Sequence, residues 1–289
     1  MPQWNCGCVI CAAARGGRIQ PLTQFSVALR DDSGKWFLIN ASPDLPAQIR
    51  SHPYFQPNSG SPRNTPISGV LLTNADLDHV LGLLSLREGE KLHIHATKAV
   101  QDTLDECLNL TAIMEAFCGI VWHGAPEGDF MPLISADGST SSLAYRAVIL
   151  PGSPPLFARG IRPQGAYSVA YQILDRNTGG RLLVAPDVAE CTEALIAAMR
   201  ESDAVFFDGT FWSDHELLAI KANGRTAREM GHVTIKDFSL PLLKSLPARH
   251  KIYVHVNNTN PILIPDSPER GEVNAAGILV GFDGLEFDL

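Results

Sequence analysis

TNADLDHVLG, Thr73 to Gly82, follows the apolar run Ile67 to Leu72 and leads into the helix-like segment Val80 to Arg87. A strand that ends in carboxylates and a histidine and turns directly into a helix leaves those side chains at the carboxyl end of a sheet, where sites of α/β proteins lie. Asp76, Asp78 and His79 are three hard or borderline donors within four residues, and they can converge on one cation. A helix N-cap explains the same residues, with Asp76 or Asp78 capping and the others solvated. The stretch alone leaves both readings open.

Upstream, Cys6, Cys8 and Cys11 crowd into six positions as CxCxxC, half of the six cysteines in 289 residues. Neighbours this close cannot pair with one another in relaxed disulfide geometry. Three soft donors reaching about 2.3 Å to a zinc ion suit a structural thiolate site that needs a fourth ligand from elsewhere. A reactive cysteine cluster is the alternative. Cys107, Cys118 and Cys191 sit in apolar surroundings and are expected as buried small hydrophobes.

The apolar content of 45% against 19% charged residues allows a full core. A net charge of −8 gives no basic field to hold nucleic acid or an anionic membrane. No apolar segment approaches the roughly 20 residues needed to cross a bilayer, and the amino terminus lacks a basic-then-apolar leader. The expectation is a cytoplasmic protein without nucleic-acid or membrane partners, with a homo-oligomer allowed.

Strand-like runs are expected at Gln24 to Leu29, Lys35 to Asn40, Ile67 to Leu72, Leu92 to Ala96, Leu143 to Leu150, Tyr167 to Leu174, Arg181 to Ala185, Ala204 to Phe207, Lys251 to Val256 and Ile278 to Phe282. Helices are expected at Pro43 to Ser51, Thr97 to Leu110 and Thr192 to Arg200. Phe55 to Pro66 and Gly124 to Ser142 have loop composition, and Pro151 to Gly165 could border a ligand pocket. Antiparallel pairs and crossover helices alternate in two comparable halves, which two face-to-face sheets with helices outside would satisfy. No GxGxxG, Walker A or GxSxG motif suggests a nucleotide site or a serine nucleophile.

In the second half, VAPDVAE leaves Asp187 at the end of a strand, where a helix cap is the alternative reading. His255 ends the strand Lys251 to Val254 and begins HVNNTNP, a placement that favours a ligand role. Between them lie GTFWSDHE and MGH, which contribute Trp212 as a pocket candidate and His232 as an acid, a base or a partner to a ligand.

The central turn resembles the metal-binding turn of the metallo-β-lactamase fold, whose HxHxDH pattern falls on Asn74, Asp76, Asp78 and His79. Asn74 and Asp76 replace two imidazoles, so a standard two-zinc hydrolase site is not expected. Read together, PQWNCxCxxC, NASPD at Asn40 to Asp44, TNADLDHVLGLLSLREG, GTFW, MGH, HVNNTNPIL and FDGLEF resemble the coenzyme PQQ synthesis protein B family over essentially the whole chain. The resemblance implies an α/β fold, the four-layer αββα metallo-β-lactamase sandwich, as one domain over residues 1–289 with a zinc knot at residues 6–11. Family members carry a leading strand before PQWNC, so an edge strand is expected to be missing here.

By the same resemblance the protein belongs to the pathway that makes pyrroloquinoline quinone from a Glu and a Tyr of a precursor peptide. The implied active-site ligands are Asp78, His79, Asp187 and His255, with Asp76 as an extra ligand or an acceptor behind them. Fe(II) is the expected metal, and Zn or Mn would also bind such a set. His232 is the expected proton donor or substrate-positioning group, and Trp212 and Asn258 are the expected substrate contacts. Asn258 also stands where a phosphodiesterase cousin places a second histidine, which makes it a candidate fourth ligand of the zinc knot. The activity expected is oxygen-dependent hydroxylation of a small tyrosine-derived precursor. A single-metal hydrolase and a carrier of PQQ or its precursor are the alternatives.

Overall fold

The computed structural model describes residues 1–57, 60, 64–158, 160–161, 163–221 and 223–289. Packing divides the chain into two compact units, one of residues 24–179 and one of residues 1–23 with 180–289. The chain begins with α1 (Val9–Arg15), whose N-cap is Cys8.

The unit of residues 24–179 holds β1 (Val27–Arg30), β2 (Trp36–Ile39), α2 (Leu45–Ser51), β3 (Ile67–Leu71), α3 (Leu77–Val80), β4 (Leu92–Ala96), α4 (Lys98–Leu108), α5 (Leu110–Glu115), β5 (Ile120–Gly124), β6 (Met131–Ile134), β7 (Thr140–Leu150) and β8 (Ser168–Asp175). β1 to β5 form a sheet in sequence order, antiparallel at β1–β2 and parallel from there on. β6, β7 and β8 pair antiparallel. Every residue of β3 and β4 is buried, as expected for parallel strands covered on both faces. The core of this unit gathers Leu38, Val70, Ile94, Val100, Leu104 and Met114. Tyrosines tie the two sets of strands together. Tyr171 donates its hydroxyl proton to Leu72 O (3.0 Å), and Tyr145 donates to Gly124 O (2.9 Å) while its oxygen lies 2.8 Å from His95 Nδ1. Burial, then the nearby His123 and His93, pushes His95 down to about 3, so this core histidine is neutral.

The expected helix after the central turn is a short α3 followed by a 3₁₀ stretch, Leu81–Glu88. Gly82 explains the close approach there. A Cβ at that position would lie 2.2 Å from Ser42 O and 2.8 Å from Ala41 O, so only glycine lets this segment pack onto NASPD.

The second unit continues with β9 (Arg181–Ala185), α6 (Glu193–Arg200), β10 (Ala204–Asp208), α7 (Leu240–Ser245), β11 (His250–Val254), α8 (Pro268–Ala275) and β12 (Leu279–Val280). β9 to β12 run parallel in that order.

Several expectations need correction. Gly124 to Ser142 is not wholly loop, because it contains β6 and the start of β7; four residues between glycine turns at Gly128 (φ 86°) and Gly138 (φ 80°) are too few to show a period. β5, α5, α7 and α8 are additional elements, not expected from the sequence. Cys107, Cys118 and Cys191 are half-buried rather than buried. The loop expected at Phe55 to Pro66 includes residues 58, 59 and 61–63, and the pocket border expected at Pro151 to Gly165 includes residues 159 and 162; these lie outside the described residues. Among the described residues no helix is long and apolar enough to cross a membrane.

Candidate metal centre

The unit of residues 1–23 and 180–289 brings Asp187, His232 and His255 together, with one ligand atom from each within 4.8 Å of the others. Each reaches the cluster from a different element. Asp187 follows β9 and His255 follows β11. His232 follows a 3₁₀ turn, Arg228–Met230, that Gly231 ends in the left-handed conformation (φ 87°). His255 is itself left-handed at φ 55°, a conformation uncommon for a residue with a side chain and concentrated at functional sites.

What orients the imidazoles is Asp208, at the end of the fully buried β10 and 0% exposed. One oxygen, Oδ2, accepts from His232 Nδ1 (2.8 Å) and from Val188 N (2.9 Å). The other, Oδ1, accepts from Thr210 N (2.9 Å) and from the Thr210 hydroxyl (2.7 Å). A hydroxyl has one proton. The carboxylate, charged and nearer than the His255 carbonyl (3.0 Å), takes that proton, and Thr210 Oγ1 then accepts from His255 Nδ1, 2.9 Å away. Asp208 therefore fixes both rings as Nδ1–H tautomers, His232 directly and His255 through Thr210, and each ring keeps its lone pair on Nε2, the arrangement typical of metal-ligating histidines.

Burial alone would raise the Asp208 carboxyl, but the charge and hydrogen bond of His232 and the charge of His255 hold it below the usual carboxylate range. Conversely, burial would lower His232, and Asp208 and then Asp187 outweigh it and raise that imidazole. Gly209 allows the geometry, since a Cβ there would lie 2.9 Å from both Tyr253 Cβ and Val254 O.

The other unit carries the central turn. Asn74 Oδ1 accepts from Asp76 N (3.0 Å) and from His79 Nδ1 (2.8 Å). Asn74 thus acts as the orienting partner of His79, which accounts for an amide where the pattern has its first imidazole. His79 is 1% exposed, and its own carbonyl accepts from Ala41 N (2.7 Å). Asp76 takes the N-cap place of α3 without a side-chain cap bond, and Asp78 lies in its first turn. The Asn40 side chain braces the turn by accepting from Thr73 N (2.9 Å) and donating to Thr73 Oγ1 (2.9 Å).

Cys6, Cys8 and Cys11 present their sulfurs within 4.8 Å of one another. Backbone N–H groups of Cys8, Cys11 and Gln3 point at Sγ of Cys6 (3.4 Å), Cys8 (3.4 Å) and Cys11 (3.3 Å) respectively. For Cys8 these partners, chiefly Cys11 N–H, outweigh the raising effect of burial and lower the thiol, which favours the thiolate that binds metal. The Asn258 side chain caps the cluster at 3.4, 3.7 and 3.4 Å from Cys6, Cys8 and Cys11 Sγ. Asn258, expected both as a substrate contact and as a candidate fourth ligand, is turned to the three sulfurs, because its loop lies against the start of α1. Its terminal atoms exchange by a flip, so an oxygen can face a cation there.

Trp212, the other expected substrate contact, is buried, and its backbone N–H donates to Glu216 Oε2 (2.7 Å). Glu216 Oε1 accepts from Thr259 Oγ1 (2.5 Å). Burial pushes the Glu216 carboxyl up to about 7. The native state then holds a proton that the unfolded chain releases near 4.5, so the stability from this group is full below that value and is lost as pH rises through about 7. The wild type is expected to lose up to about 3 kcal/mol more than Glu216→Gln between pH 5 and pH 8. Urea denaturation at both values checks it, and parallel losses in the two proteins would refute it.

Asp208, Thr210 and Glu216 are the residues that sequence reasoning missed. The available signal was an acidic residue closing the otherwise apolar AVFFD.

A beta-lactamase superfamily domain matches residues 35–256. The chain is 39% identical to the coenzyme PQQ synthesis protein B of Cupriavidus necator, over 100% of this chain and 95% of the relative. The crystal structure of zinc-bound PqqB from Methylobacterium extorquens superposes with a TM-score of 0.87 at 34% identity, covering 100% of this chain and 95% of that one. A diphosphatase of the PhnP family shares the fold at a TM-score of 0.65 and 19% identity, over 99% and 90% of the two chains.

Proposed function

The chain belongs to the coenzyme PQQ synthesis protein B family of the beta-lactamase superfamily, and from that membership we propose that it serves PQQ biosynthesis as an iron- and oxygen-dependent hydroxylase of a small tyrosine-derived precursor. The observation that carries the metal part is the buried Asp208, which presents two oriented imidazoles beside Asp187. Asp187, His232 and His255 would hold the cation, and Asp78 and His79 are ligand-type residues of the other unit. Two imidazoles with a carboxylate suit Fe(II) with open positions, and Zn or Mn binds such a set as well. Bound there, Fe(II) would give redox access to dioxygen, which zinc lacks.

Hydroxylation of an aromatic C–H consumes one O2, places one oxygen atom in the product and releases the other as water, with two electrons and two protons from a co-reductant. The chain's own contribution is positioning. Asp208 keeps the Nδ1 proton of His232 engaged, and with Nε2 as a ligand atom this ring has no proton to offer a substrate. We therefore assign His232 to metal binding in place of the proton-donor role expected from resemblance. The thiolates with Asn258 would hold zinc, as a closed soft-donor site does.

The test is protein purified without air, stripped of metal at the histidine–carboxylate site and reloaded with Fe(II), Mn(II) or Zn(II) singly. A Glu-Tyr-derived substrate, a two-electron reductant and then oxygen are added, and product is read as a mass gain of one oxygen atom. Turnover is expected with Fe(II) alone. Cleavage of the substrate with the elements of water added, at equal rates with Zn(II) and Fe(II) and without need of oxygen, would favour the hydrolase, and tight retention of substrate without turnover would favour the carrier.

A further inference from the structure

The loop His255 to Asn260 carries one residue to each of the two clusters in its unit. His255 Nδ1 is 3.6 Å from Asp187 Oδ1. Three residues later the Asn258 amide lies on the three sulfurs, and Asn258 O is 3.5 Å from Cys8 Sγ. Three residues of chain span at most about 11 Å, so a displacement at one end of this segment reaches the other.

The rest of the loop is pinned to the strand end that orients the imidazoles. Asn257 N donates to Thr210 O (3.1 Å), and the fully buried Asn260 donates from Nδ2 to Gly209 O (2.9 Å). Asn257 Nδ2 donates to Thr259 Oγ1 (2.6 Å), which in turn donates to Glu216. These bonds link the segment to itself and to the end of β10, so the placement of Asn258 and the left-handed backbone of His255, which surrounding structure must enforce, are set together.

We propose that the thiolate cluster is a positioning element for the histidine–carboxylate cluster, acting through Asn258 on the loop that ends in His255. A cation held by Cys6, Cys8, Cys11 and Asn258 anchors the loop, keeps His255 Nδ1 on Thr210 and so raises the affinity of the second cluster. Emptying the thiolate cluster frees Asn258 and lets His255 leave the set. The proposal rests on the reading that both clusters take cations.

Soft thiolates select zinc, whereas carboxylate and imidazole accept Mn(II), so Mn(II) followed by electron paramagnetic resonance reports the second cluster separately. Wild type with one zinc per chain is compared with the same protein stripped by chelator and with Asn258→Ala and Asn258→Asp, each checked for fold by circular dichroism. Mn(II) affinity is expected to fall about 10–100-fold in the stripped protein and in Asn258→Ala, the range seen when a group behind a ligand is lost. It should return on adding zinc to the stripped protein, and Asn258→Asp, which restores an oxygen donor, should rescue it. Mn(II) affinity within twofold of wild type in Asn258→Ala overturns the coupling, whether or not that variant keeps its zinc. If zinc-loaded wild type binds no Mn(II), the metal reading of the second cluster itself fails, and the coupling falls with it.

Discussion

Asp208→Ala is expected to destabilise the protein by about 3–5 kcal/mol, the range for removing one partner of a buried, hydrogen-bonded ion pair. The wild-type carboxylate is 0% exposed and accepts four hydrogen bonds, from His232 Nδ1, Val188 N, Thr210 N and Thr210 Oγ1. Alanine removes every acceptor at once, and each buried donor then loses its partner without gaining water. Asp208→Asn separates the two roles of the residue. It keeps the volume and one carbonyl oxygen, so less stability is lost, but its NH2 must face either His232 and Val188 N–H or the Thr210 donors. Metal affinity at the histidine–carboxylate cluster should drop about 10–100-fold in Asp208→Asn, because one of the two imidazoles is then no longer held in its ligand tautomer. Chemical denaturation and metal titration read the two effects separately. An asparagine variant that binds metal within twofold of wild type would show that Asp208 is a packing residue only.

Cys11→Ser is the second change with a large expected effect. Cys11 is fully buried, and its sulfur faces both Gln3 N–H and Asn258. If the three sulfurs hold zinc, the variant forfeits part of the roughly 10–16 kcal/mol that binding a structural zinc contributes to folding near neutral pH. Zinc content and thermal stability should then fall together. The comparison with chelator decides the cause: in its presence wild type and variant should melt alike, apart from the small difference between a buried thiol and a buried hydroxyl. A stability gap of the same size with and without chelator would mean that Cys11 serves packing and that no zinc is involved.

Local chemistry was legible in the chain wherever a few consecutive residues contain it. CxCxxC declares a thiolate site because its donors are neighbours, and TNADLDHVLG declares a strand end turning into a helix because the change from apolar run to acids is local. Asp187 and His255 could be singled out since each closes an apolar strand, and together with the motif resemblance they led to the family and the fold. Element boundaries were less legible where the element is short, as at β6, α5 and α7.

Only tertiary structure decided what those residues do for one another. His232 and Asp208 are 24 residues apart, Thr210 and His255 are 45 apart, and Cys8 and Asn258 are 250 apart. A hydrogen bond depends on separation in space, which folding determines through the register of the parallel strands β9, β10 and β11. That register sets Asp208 opposite Val254, one residue before His255. Periodicity along the chain carries no record of such pairings, since an aspartate closing AVFFD looks the same whether it caps a helix or locks two imidazoles. The same limit applies to Asn258, whose amide could face a substrate or a thiolate until the loop was seen to lie against the start of α1.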